Sequence, residues 1–250
     1  AGKSLGQPLY RLLGGFRNQV PAYASEQLWY SLSRDELAAS AQSHARNGYK
    51  AIKLRLDKEI TPAAQAERAR IAGNAAGAGV AIMVDGTESW DLNYARAAGR
   101  ALQDAGVTWL EDPVNHADVA GLASLAAEFD IPVTGGENLY TLTQFRHTLE
   151  ARAVDVAILD LFRVGGITPW RKIAALAESH RIPISGHVAP EFHVHLLAAA
   201  PNGHILEYMP RSTAILQEMP EPVAGVLTAP DRPGHGLTLD EKAYARCIVG

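Results

Sequence analysis

Cysteine is almost missing from this chain. A single residue, Cys247, stands close to the C-terminus, which excludes an internal disulfide framework and a thiolate metal cluster. A reducing, cytoplasmic setting is the expectation. A basic excess is also lacking: the formal net charge is -4, and lysine and arginine are scattered without a run or interleaved aromatics. Nucleic acid is therefore not an expected partner. No apolar run reaches the roughly 18 residues that a spanning helix needs. The opening AGKSLGQPLYRLLGG lacks a signal-peptide pattern, so no membrane partner is expected. A Gly-rich phosphate turn after the first predicted strand is missing too, which removes the usual mark of a doubly wound nucleotide-binding sheet. The partner class left is a small anionic substrate, attracted by local charge.

What is present is a repeat of short β-branched runs and alanine-rich amphipathic segments. At 250 residues, 47% hydrophobic and 20% charged, the chain can bury a large core. Strands are predicted at Val20–Ala24, Ala51–Leu56, Ala81–Asp85, Thr108–Asp112, Pro132–Glu137, Val156–Leu161, Pro183–Val188 and His204–Tyr208. Helices are predicted near 34–47, 62–77, 92–105, 118–129, 141–152, 168–181 and 191–200, and Ser33 to Glu36 fits a capping box. Gly48, Gly79, Gly106, Pro132 and Pro183 punctuate the units. Eight strands with alternating helices imply right-handed crossovers and a closed α/β barrel, and the length matches one.

The stretch YKAIKLRL, residues 49–56, puts Lys53 and Arg55 on one face of a predicted strand and Ile52, Leu54 and Leu56 on the other. Alone, such a pair reads as a solvated face. Its neighbours change the reading. The following strands end in Asp85, Glu111, Glu137, Asp160, His187 and Glu207, each after apolar residues. One acid closing a strand is usually a loop residue or a helix cap. Seven consecutive strand ends aimed at one volume are a site, because a barrel builds its chemistry at the C-terminal ends of its strands.

Asp85, Glu111 and Glu137 recur every 26 residues, one per unit. Three converging carboxylates cannot all stay ionised without a cation. With oxygen donors only, the ion expected is Mg2+, with Mn2+ as its substitute. Asp112 would point to the opposite face and is read as a structural neighbour. His187 and Asp160, on adjacent strands, form an acid/base pair in which the carboxylate fixes the tautomer. Lys53 and Arg55 face them across the interior, where they offset the carboxylates and hold a substrate anion or developing enolate charge.

Taken together, these residues resemble the enolase superfamily, mandelate racemase subgroup. The likeness runs from GKSLGQPLYRLLGG through the K-x-(K/R) strand, the Asp/Glu/Glu series, DLFRVGGIT, the SGH strand end and HLLAAAPNGHILE to PDRPGHGLTLD. It implies a modified TIM barrel, (β/α)7β, and Mg2+-assisted removal of the proton α to a carboxylate, giving an enediolate. It implies metal ligands at Asp85, Glu111 and Glu137, a base at His187 with Asp160, and Lys53 and Arg55 on the opposite side. Glu207 matches the family's carboxylic acid that donates a hydrogen bond to the substrate carboxylate, for which it must be protonated. Relatives often assemble into homo-oligomers, and the same is expected here.

Three departures shape the expectation. Arg55 replaces the family's second lysine, and a guanidinium is a poor base near neutral pH. That favours β-elimination of water from a sugar acid, with racemisation or epimerisation, using Lys53, as the alternative. Thr87 stands where Asp-x-Asn usually carries an amide. The family's N-terminal α+β capping domain is missing from the chain, so residues 1–19 are read as a segment leading from it, 20–210 as the barrel, and 211–250 as a segment returning toward it. Without a lid to exclude water the barrel is expected to be less active or inactive, which keeps a non-catalytic barrel as a further reading. A zinc hydrolase barrel would need histidines at several strand ends, and only His187 stands at one.

Weaker signals are read as packing. His193 and His195 resemble an H-x-H metal pair, but residues two apart on a helix face apart. Trp90, Trp109 and Trp170 are read as packing residues and Trp29 as lining the pocket mouth. Gly165 and Gly166 open a helix after the sixth strand and are read either as an anion cradle or as a tight turn, and Leu12 and Leu13 as the end of a docking helix.

Overall fold

The computed structural model describes residues 1–15, 17–56 and 61–247. All eight predicted strands form: β1 (Gln19–Ala24), β2 (Ala51–Arg55), β3 (Ala81–Asp85), β4 (Trp109–Glu111), β5 (Val133–Gly135), β6 (Val156–Leu159), β7 (Ile184–Gly186) and β8 (Gly203–Tyr208). They pair in parallel in the order β2-β3-β4-β5-β6-β7-β8-β1, and a β1–β2 bridge at Ala24 and Ile52 closes the barrel. β2, β4, β5, β6 and β7 are shorter than predicted, β3 has the predicted bounds, and β1 and β8 each begin one residue earlier. Proline has no N–H for a ladder, so β5 and β7 begin just after Pro132 and Pro183. Those two prolines still accept from Leu110 N (2.9 Å) and Ala157 N (3.0 Å).

Seven helices cross between the strands: α3 (Arg34–Arg46), α4 (Pro62–Ala76), α5 (Leu92–Asp104), α6 (Val119–Glu128), α7 (Leu142–Glu150), α8 (Ile167–Ser179) and α9 (Pro190–Ala198). The predicted capping box is present at the start of α3, where Ser33 Oγ accepts from Glu36 N and Glu36 accepts from Ser33 N. Gly165 (φ 86°) and Gly166 (φ 108°) make the left-handed turn into α8, as the tight-turn reading requires. Helix α9 is buried over eight of its nine residues, apolar or not, because it packs on β1, β7 and β8 and is covered by the short helix at Leu9–Leu12 and by His235.

Two short helices, α1 (Gly2–Leu5) and α2 (Leu9–Leu12), precede β1. A ninth strand, β9 (Val226–Thr228), pairs antiparallel with β1, and α10 (Glu241–Cys247) follows. The chain returns here to its own start: Leu9 N donates to Gly234 O (2.7 Å) and Gly234 N to Gln7 O (2.9 Å). The last three residues of the predicted segment 211–250 lie outside the described residues. Among the described residues no helix is long and apolar enough to cross a membrane.

Strand alternation splits the core in two. Ile52, Leu54, Leu110, Val133 and Leu206 face the helices in one large apolar cluster. Tyr23, Ala51, Met83, Trp109, Val156 and Ile158 fill the barrel axis in a second. The ionisable strand ends stand on the same inward positions, one step further along.

Candidate active site

The register sets the level of each group. Arg55 pairs with Asp85, Asp85 with Glu111, and Tyr23 with Glu207. Beyond Gly135 the chain leaves the ladder through Gly136 (φ 121°), so Glu137 is carried by a loop and not by β5 itself. Leu159 pairs with Gly186, which sets Asp160 beside His187.

Lys53 lies at the centre, 2% exposed. Its ammonium donates to Glu111 Oε1, lies 3.1 Å from Glu207 Oε1 and 4.0 Å from Asp85 Oδ2. Burial works against its charge, but Glu111 and Glu207 outweigh burial and hold its pKa well above the ordinary lysine value. Burial drives the Glu111 carboxyl up to about 8 against the pull of Lys53. Its Oε2 accepts from Trp109 Nε1 (2.9 Å). Arg55 donates through Nε to Asp85 Oδ2 (3.2 Å), and its guanidinium sits 4.5 Å above the Trp29 ring, which thus lines the mouth as read.

At Glu207 burial and the neighbouring charges oppose each other. Burial would raise its pKa, but Lys53 and then His187 hold it down at about 2, helped by a hydrogen bond from Ser25. Its Oε2 also accepts from Val188 N (3.2 Å). The neighbours thus favour the charged form of Glu207, while burial favours the neutral form of Glu111. Burial, with the neighbouring acids behind it, raises Glu111, Glu137 and Asp112.

The predicted pair forms. His187 Nδ1 and Asp160 Oδ2 are 2.7 Å apart, and Asp160 Oδ1 accepts from the amides of Phe162 (2.8 Å) and Arg163 (2.9 Å). Burial disfavours the Asp160 charge, but the bonds from His187 and these amides bring its pKa to about 2. A carboxylate acceptor places the proton of the neutral imidazole on Nδ1 and leaves Nε2 as the base. That Nε2 faces Glu137 Oε2 at 3.2 Å and Glu207 Oε2 at 3.9 Å. Burial lowers the His187 pKa, but Asp160 and the two glutamates outweigh it and raise it.

The structure thus brings Lys53, Arg55, Asp85, Glu111, Glu137, Asp160, His187 and Glu207 to one end of the barrel. Among the described residues no three Asp, Glu, His or Cys groups are drawn into a metal cage. Lys53 bonds Glu111 and Arg55 bonds Asp85 instead. The donor set still fits a hard divalent ion. It offers only oxygens, and Glu137 Oε2 is buried with no hydrogen bond. Asp112 is turned to the outward side, as read. It is buried at φ 39°, and a Cβ on Gly135 would stand 2.3 Å from its Oδ1.

Four contributors escaped the sequence reading. The Tyr23 ring lies 5.2 Å from Lys53 Nζ, Trp109 supports Glu111, Ser25 supports Glu207, and Arg163 Nη1 donates to the Glu137 carbonyl (2.8 Å). Counting the inward positions of β1 and β4 would have found Tyr23 and Trp109. Arg163 lies three residues past Asp160, where only a known loop path reveals its target. His193 and His195 are core residues at 0% exposure: His193 Nδ1 bonds Val188 O (2.8 Å) and His195 Nε2 bonds His235 O (3.1 Å). Trp90 and Trp170 are buried packing residues, as read, whereas Trp109 is buried and also donates to Glu111.

Comparison with known proteins gives the lineage of this arrangement. The family described as "Enolase C-terminal domain-like" matches residues 36–243. The 3,6-anhydro-alpha-L-galactonate cycloisomerase of Streptomyces coelicolor is 33% identical over 97% of this chain and 67% of its own length. The L-talarate/galactarate dehydratase of Salmonella typhimurium is 32% identical over 96% of this chain and 60% of its own. Among solved structures, an L-talarate dehydratase from Polaromonas sp. JS666 complexed with Mg and L-glucarate superposes with a TM-score of 0.93. It is 33% identical and covers 98% of this chain and 68% of that one. The chain spans 60% to 67% of the length of the two curated relatives. With the match running across almost the whole barrel, the chain belongs to the enolase superfamily, in its mandelate racemase-like subgroup.

Proposed function

We propose that this chain is the catalytic barrel of a Mg2+-dependent dehydratase, which removes the proton α to the carboxylate of a sugar acid and expels water from the β position. The observation that carries this reading is the His187–Asp160 pair, whose free Nε2 points at the volume bounded by Glu137, Glu207 and Lys53. A bound Mg2+, held by Asp85, Glu111 and Glu137, would supply the positive charge that acidifies the α proton.

The remaining work falls to the chain's own side chains. Neutral His187, its Nδ1–H held by Asp160, takes the α proton at Nε2. The imidazolium then gives that proton to the departing hydroxyl, so one proton leaves carbon, one joins oxygen, and water departs. Lys53, kept cationic by Glu111 and Glu207, offsets the negative charge that grows on the substrate carboxylate. Arg55, whose pKa rises further beside Asp85 despite burial, has no proton to exchange near neutral pH. One competent base fits elimination better than racemisation. Epimerisation is the second reading, favoured by the placement of Lys53 on the other side of Glu207 from His187; it requires Lys53 to lose the proton that two carboxylates hold on it.

The test is a screen of mono- and diacid sugars with Mg2+ in D2O, scoring keto-acid product and deuterium in recovered substrate together. Product without exchange into substrate supports dehydration, and exchange with inversion supports epimerisation. His187→Asn is expected to lower turnover by roughly 10²- to 10⁴-fold. Normal turnover in that variant would remove His187 from the role.

A further inference from the structure

Asp85 and Glu111 end β3 and β4 and Glu137 lies just past β5, and one side chain joins the three strand-to-helix connections that follow. Glu88 follows Asp85 by three residues and its side chain is 14% exposed. Its Oε1 accepts from His116 Nδ1 (2.8 Å) and from Asn138 Nδ2 (2.8 Å), and its Oε2 accepts from Asn115 Nδ2 (3.1 Å). Asn115 and His116 belong to the connection after β4, and Asn138 is the neighbour of Glu137.

The backbone is stitched the same way. Thr87 N donates to Asp85 Oδ1 (2.7 Å), Gly86 N to Glu111 O (2.8 Å), and Glu88 N to Asp112 O (2.7 Å). Thr87 (φ 53°), Glu88 (φ 58°) and Asp112 (φ 39°) all sit in the left-handed region, which residues with side chains hold only under tertiary restraint. A Cβ on Gly86 would come within 3.1 Å of Pro113 Cα and 3.2 Å of Asp112 O, so the two connections already touch there.

Restraint matters most at Glu137. Strand register fixes Asp85 and Glu111, which are ladder residues, but β5 ends at Gly135 and leaves Glu137 on a loop. Arg163 holds it from the β6 side, through the carbonyl of Glu137 at 2.8 Å. From the β3 side the link is Glu88 to Asn138. We infer that Glu88 is a positioning residue: its carboxylate clips the β3, β4 and β5 connections together and so fixes the spacing of Asp85, Glu111 and Glu137 for a divalent cation. The inference rests on the reading of those three as ligands.

The test is calorimetric titration of Mg2+ into the full chain without substrate, with thermal melting in EDTA as the stability readout. Glu88→Ala is expected to weaken Mg2+ binding by roughly 10- to 100-fold, the range usual for groups that orient metal ligands. Glu88→Gln is expected to weaken it less, because its Oε1 can still accept from His116 and Asn138. Its new amide would face Asn115 Nδ2, and Asn115 cannot flip without losing its Oδ1 bond to Ala117 N (3.0 Å). Arg96→Ala, which breaks an exposed pair with Glu128 on the outer helices, is expected to leave Mg2+ affinity unchanged. Wild-type affinity in Glu88→Ala overturns the inference alone, whereas a wild-type chain that binds no Mg2+ overturns it together with the ligand reading. If Glu88→Ala does not fold, Glu88→Gln decides: affinity equal to wild type overturns the clip, and a loss without a matching fall in melting temperature supports it.

Discussion

The two faces of the barrel sheet obey different rules. On the outer face Ile52, Leu54, Leu110 and Leu206 pack against helices, each fully buried or nearly so, and each contributes by the area and volume it fills. On the inner face Lys53, Asp85, Glu111 and Glu207 are equally buried, yet each is tolerable only because of the others. Outer-face changes should therefore add, and inner-face changes should not.

Lys53→Met is the strongest way to break that contrast. It keeps the length and removes the cation between Glu111 and Glu207, leaving buried acids without a partner. The expected loss is about 3–5 kcal/mol by denaturant unfolding in EDTA at neutral pH. Adding Glu207→Gln should recover part of that loss, because the stranded charge goes with it. A loss below about 1 kcal/mol would mean that the inner face tolerates change like a surface.

Leu110→Ala probes the other rule. Leu110 is 0% exposed on the outward side of β4, and its truncation should cost about 3 kcal/mol through lost transfer energy and the cavity left behind. Combined with Leu37→Ala on α3, the two losses should sum to within about 0.5 kcal/mol. Strong coupling between them in urea unfolding would blur the distinction between the faces.

The same contrast explains what the sequence revealed. Alternation and punctuation were enough for eight strands and seven helices, since each depends on local period and on nearby glycine or proline. β9 escaped because Val226–Thr228 is a three-residue strand in a Pro- and Gly-rich stretch, and only the edge of β1 makes it one. The inward acids could be picked out because polar residues at strand ends interrupt apolar runs. Which acid keeps its proton could not, because that depends on distances of a few ångströms between strands. Burial takes the Glu111 carboxyl up to about 8 against the pull of Lys53, whereas Lys53 and His187 bring Glu207 down to about 2 against the same burial. Arg163 and Glu88 escaped for a related reason: their partners lie on other connections, and no periodicity points across a loop.

Histidine divides along the same line, and that gives the smallest effect. On the inner face the acids beside His187 raise its pKa against burial, whereas burial pushes His193 and His195 down to about 4. For the buried two, the unfolded chain takes up a proton near pH 6.5 while the folded chain resists until about pH 4. Each therefore drains stability as pH falls through that window, by about 2 kcal/mol between pH 7 and 5. The whole-chain slope mixes signs, because a carboxyl raised to about 8, as at Glu111, gains stability over part of the same range. A difference isolates one group. His195→Gln keeps an amide donor for His235 O but cannot titrate, so its stability loss from pH 7 to 5 should be about 2 kcal/mol smaller than that of the wild type. Equal losses in the two proteins would mean that His195 takes up its proton in the folded state as easily as in the unfolded one, and that burial behind the barrel wall exerts no hold on it.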